Sequence, residues 1–163
     1  MNKTIGLLVA LLLLSAAGFA QSKDAKPAEH QSLAQVMEQS VSIVEKEFVP
    51  AAEAMPEDKY SFAPTSGEFK GVRTFGQQIK HVAAVNYILG ASILAEKPPV
   101  ELGGENGPDS VKTKADTVKF LKDSFAYFHK AVAGINQGNL LTPIQNPFGK
   151  DMVTRLWVAT LNV

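Results

Sequence analysis

The stretch VAAVNYILGASILA, Val82 to Ala95, contains no charged side chain. Together with the preceding FGQQIKH it places Phe75, Ile79, Val82, Asn86, Leu89 and Ile93 on one face of a helix, and His81, Val85, Ile88 and Ser92 on the opposite face. A helix that is apolar on both faces needs cover on both. Its uncharged run is shorter than the roughly 20 residues that cross a membrane, so the cover is protein. The segment from about Phe75 to Ala95 is therefore predicted as the central helix of a packed domain, opened by a capping box of Thr74 and Gln77.

Two more helical stripes flank it. Leu33, Val36, Met37, Ser40, Val44, Phe48, Ala51 and Met55 recur at three and four and predict a helix from about Ser32 to Ala54, with Pro50 inside it and Met55-Pro56 ending it. Val118, Leu121, Phe125, Phe128, Val132 and Ile135 mark another, capped at Thr113 with Asp116. From Asp151, the spacing of Val153, Leu156, Trp157, Thr160 and Leu161 predicts a fourth helix, short or truncated at Val163. The segments between these stripes are Pro/Gly-bearing loops, and no strand pattern of period two is visible. The expected fold class is all-α, an antiparallel four-helix bundle. A fourth helix of about 20 Å beside a central one of about 32 Å leaves a strip of the latter uncovered, so poor stability or self-association, as a homodimer, is expected.

The first twenty residues, MNKTIGLLVALLLLSAAGFA, join a basic start at Lys3 to a short apolar run and to small residues Gly18 and Ala20. That is the pattern of a signal peptide cut after Ala20, and it predicts a periplasmic or secreted protein with no membrane attachment after cleavage. Residues 21 to 31, QSKDAKPAEHQ, are polar and aperiodic, a tether in which His30 is solvated. Residues 32 to 163 form the domain. Lys+Arg 16 against Asp+Glu 16 leaves no charge excess to attract nucleic acid, and the absence of cysteine rules out disulfides and a thiol nucleophile.

Chemistry-bearing motifs are few. There is no G-x-S-x-G elbow, and GGENG at Gly103 to Gly107 lacks the Lys-Ser/Thr of a phosphate loop. Glu47 and His129 stand at the edges of apolar stripes, where partly solvated boundary residues are expected. His81 is the candidate: an imidazole on the most buried helix can line a site between helices or ligate zinc, nickel or iron. One histidine falls short of the three protein ligands usual for a catalytic metal.

The loop AMPEDKYSFAPT, with Pro56, Lys59, Tyr60, Phe62 and Pro64 in a Pro-x-x-Lys-Tyr-x-Phe-x-Pro pattern, is followed by Arg-Thr-Phe-Gly-x-Gln-x-x-His from Arg73 to His81. These motifs resemble the DinB-like family of four-helix bundles, and the likeness runs from about Leu33 onward. The resemblance implies a divalent metal held by a histidine of helix two and two more of the last helix, often as His-x-x-x-His. His81 matches the first, whereas the closing LWVATLNV holds neither of the others. It further implies a metal-dependent transferase, isomerase or hydrolase acting on a small molecule, in which the metal lowers the pKa of a bound thiol or water. The alternative is a non-catalytic bundle for ligand binding or protein association, with the metal site incomplete. Catalytic residues are not identifiable from the sequence.

Overall fold

The computed structural model describes residues 30–69, 71–103 and 106–162, and the fold belongs to the unit Gln31–Val163. The predicted signal peptide, and the tether up to residue 29, lie outside the described residues. Helix α1 spans Leu33–Ala54, α2 Phe75–Leu94, α3 Lys114–Ala133 and α4 Arg155–Ala159. Strands β1 (Pro143–Gln145) and β2 (Met152–Thr154) pair antiparallel, with Ile144 opposite Val153. Single 3-10 turns lie at Glu57–Lys59, Gly67–Phe69 and Thr160–Asn162. The described residues are thus predominantly helical, with one small sheet.

Each long helix starts where a side chain replaces a missing backbone partner. Ser32, Thr74 and Thr113 accept hydrogen bonds from the N–H groups of Gln35, Gln77 and Asp116, and these N3 side chains reach back to the cap backbone. Asp116 is held below the usual carboxylate range, first by its side-chain bond with Thr113. Pro50 stays inside α1, which ends at Met55 in extended backbone ahead of Pro56.

The family-like loop is fixed by Tyr60. Its hydroxyl donates to the Ala52 carbonyl at 2.6 Å, its own carbonyl accepts from Gly76 N–H at 2.9 Å, and its ring meets Phe75 edge-on at 5.3 Å. One side chain therefore ties the end of α1 to the start of α2. A Cβ at Gly76 would lie 3.1 Å from the Tyr60 ring, which accounts for glycine in that motif.

The core is centred on α3. It packs against α2 on one side and α1 on the other, while α4 packs on α2. Leu89, Leu121, Phe125, Phe128, Val132 and Val158 have no exposed surface. Helix α2 and α3 approach closely at Gly90, where an added Cβ would stand 2.8 Å from the Tyr127 ring. Inside this core, Asn86 Nδ2 donates to Ser124 Oγ at 3.1 Å, and Ser124 donates on to the Leu121 carbonyl. His129 is a boundary residue, as predicted, but it has partners that the sequence did not reveal. Its Nδ1 is 2.7 Å from Glu38 and its Nε2 3.1 Å from Glu45, two carboxylates of α1. Through these two contacts one imidazole clasps α1 to α3. Glu47 is exposed, as expected of a boundary carboxylate.

At the C-terminal end a small two-stranded sheet joins the mostly helical fold, and the predicted fourth helix, short as expected, is corrected in its starting point. Asp151 does not open a helix, because its carboxylate and carbonyl accept from Asn146 Nδ2 (2.8 Å) and Asn146 N–H (3.1 Å), closing a hairpin over Pro147 to Lys150. The helix starts only at Arg155, capped by Thr154. This shifts the buried residues to Val158 and Ala159, while Trp157, assigned to the apolar stripe, is 42% exposed.

Candidate functional site

Helix α2 divides largely as its pattern predicts, except that Phe75 and Val82 of the predicted core face are half-buried and Val82 borders a cavity with His81. Ile79, Asn86, Leu89 and Ile93 are buried, whereas His81, Val85, Ile88 and Ser92 are half-buried along the other face. That face looks onto cavities rather than onto a full-length partner helix, since α4 is five residues long. His81 borders two of them. One, of about 460 Å³, runs past Val85 and Ile88 to Leu102 of the connecting loop and Phe148 of the hairpin turn. The other, of about 220 Å³, is bounded by Val44 and Phe48 of α1 and by Leu161 and Asn162 of the final 3-10 turn. The imidazole is thus the polar group set into two otherwise largely apolar walls, joined by one carboxamide, Asn162, whose Nδ2 is buried without a hydrogen-bond partner. Cavities of this size and lining suit small molecules.

Beyond Ile88 the same helix face borders a third cavity of about 520 Å³, shared with the hairpin through Ile144 and Met152. Ser92 Oγ donates to the Gln145 carbonyl at 3.0 Å and so anchors β1 to α2 there. Glu96 stands at its edge and accepts from the Tyr127 hydroxyl at 2.9 Å. The Tyr127 phenol is pushed up to about 12, first by burial and then by that bond. Burial, with Asp123 adding to it, does the same for Tyr87, also to about 12. A more polar hollow near Thr74 and Tyr60 is lined by Glu57, Asp58, Lys80 and Lys112, of which Lys80 donates to the carbonyls of Pro108 and Val111 at 3.3 Å each.

A metal is a different matter. Among the described residues, no three His, Cys, Asp or Glu side chains converge. Among the described residues, His81 and Asn162 supply an imidazole and a carboxamide to these cavities, short of the three protein ligands usual for a catalytic divalent ion, so the described residues do not by themselves fit one. The Glu96 cavity and the Phe148 wall were not foreseen from the sequence. Each depends on the hairpin, and three-residue strands carry no readable period.

The sequence profile of the DinB superfamily matches residues 41–163, from within α1 through His81 to the last residue. The chain belongs to the DinB superfamily. No curated protein and no solved structure matches it. The superfamily match covers α2, α3, the hairpin and α4, and with them every wall of the His81 cavities.

Proposed function

We propose that this DinB superfamily chain is an exported small-molecule-binding protein whose ligand sits against the His81 face of α2, in an antiparallel four-helix arrangement closed by the short α4. The observation that carries the reading is that His81 borders two largely apolar cavities at once. Apolar walls supply binding energy of about 25 cal/mol per Å² removed from water, and an imidazole, with two ring nitrogens, can fix orientation through one hydrogen bond. This chemistry needs no further charged group.

The second reading is a metal-dependent transferase or hydrolase. It is favoured by His81 standing at the histidine position of the family-like motif. Equilibrium dialysis of the protein and of His81→Ala against zinc, nickel and iron(II) separates the readings. Weak and equal retention by both proteins is expected. Stoichiometric retention that His81→Ala abolishes would favour the metalloenzyme.

Export to the periplasm or beyond rests on the signal-like sequence ending Gly18-Phe19-Ala20. Among the described residues, no helix is long and apolar enough to cross a membrane. Intact-mass and sedimentation analysis of the exported protein is expected to give a chain starting at Gln21 that associates as a homodimer. The exposed Leu141, Phe148, Met152 and Trp157 support the association. Chains retaining Met1 would contradict the cleavage, and a strict monomer the association.

A further inference from the structure

The cavity beyond Ile88 differs chemically from those at His81. Ala91, Ile144, Pro147 and Met152 give it hydrocarbon walls, and Glu96 is its one charged side chain among the described residues. The neighbouring Lys97 is exposed and does not border it. Glu96 is also oriented, because Tyr127 holds one carboxylate oxygen at 2.9 Å, and a carboxylate retains acceptor capacity after one such bond. Glu96 is exposed, so water solvates it when the hollow is empty; an anchored carboxylate at the edge of an apolar hollow still selects against anions and favours a positively charged donor carrying a hydrocarbon body.

We propose that this cavity is a second binding site, specific for an apolar amine. The ammonium pairs with Glu96, and the alkyl body packs between the Ala91 and Ile88 side of α2 and the Ile144 and Met152 side of the hairpin. The Ser92–Gln145 bond holds those two walls together. The site stands independently of what His81 binds.

Calorimetric titration of the whole protein with octylamine, octan-1-ol, octanoate and butylamine tests the assignment. Octylamine is expected to bind about three- to tenfold more tightly than the alcohol, the worth of one charge-assisted hydrogen bond at a partly solvated edge. Octanoate should bind more weakly than the alcohol. Butylamine should lose at least about tenfold, since each buried methylene contributes roughly fourfold. Glu96→Gln should bring octylamine down to the level of the alcohol. Met152→Arg, at a side chain 59% exposed and so with room for a charged head in water, should reverse the order of octylamine and octanoate. Equal affinity for octylamine and octanoate, undiminished binding of butylamine, or octylamine binding indifferent to both substitutions would overturn the proposal.

Discussion

Replacing Phe125 with alanine is expected to lower the unfolding free energy by about 3–5 kcal/mol. Phe125 has no exposed surface and lies in α3, the helix that packs against both α1 and α2. Its removal deletes the transfer free energy of a whole ring and leaves a cavity that helices pinned on both sides can close only in part. A domain of this size has a total stability of the order of 5–15 kcal/mol, so the loss removes a large share of it. Urea denaturation should show the midpoint falling at nearly constant slope. Phe148→Ala is the control: it deletes the same side chain from a position 59% exposed and should change stability by about 0.5 kcal/mol or less. A Phe125→Ala loss below about 1 kcal/mol would mean that α3 is not the centre of the core.

The second large effect is at alkaline pH. All three tyrosines of the chain, Tyr60, Tyr87 and Tyr127, ionise above the ordinary phenol value, and Tyr87 and Tyr127 only near about 12. Burial is the first cause in each. Between pH 10 and 12 the unfolded chain therefore releases phenolic protons that the folded chain retains. The folded state binds more protons there, and stability falls as pH rises through that window. For Tyr87, only 3% exposed, the loss is roughly 1–3 kcal/mol across the window. Near-ultraviolet titration should show Tyr87 and Tyr127 still protonated at pH 10.5 in the native protein, and about three quarters of the phenols ionised in urea. Glu96→Gln should lower the Tyr127 value only in part, because burial remains. Native phenolate from Tyr87 or Tyr127 at pH 10 would contradict this packing.

Much of the helical framework was legible because it rests on local signals. The caps at Thr74 and Thr113 stand where the residue three positions on can answer them, and the stripe through Ile79, Asn86, Leu89 and Ile93 is the buried face of α2. The C-terminal region was legible only in part: Leu156 and Trp157 do lie in α4, and Thr160 and Leu161 in the 3-10 turn after it, but the helical spacing does not extend back to Val153. Val153 belongs to a strand fixed by long-range pairing with Ile144, and turn bonds from Asn146 to Asp151 set the start of α4. The clasp of His129 was invisible for a related reason. Glu38 and Glu45 are two turns apart on α1, and only the packing of α1 on α3 brings them to one imidazole. The candidate site was half legible. Its α2 face could be read from periodicity, but its opposite walls, Phe148, Leu161 and Met152, depend on how the hairpin and the last turn fold back.

The central claim is that the His81 face of α2 is where this protein meets its ligand. The most direct test is a fragment screen by NMR on uniformly labelled protein, reading the amide and methyl signals of His81, Val85 and Ile88 against those of the hollow around Tyr60 and Lys80. Fragments that bind are expected to shift the first group, in a manner weakened by His81→Ala, and to leave the second unchanged. Binding that clusters around Tyr60 and Lys80, or shifts at Val85 that are indifferent to the loss of His81, would contradict the account.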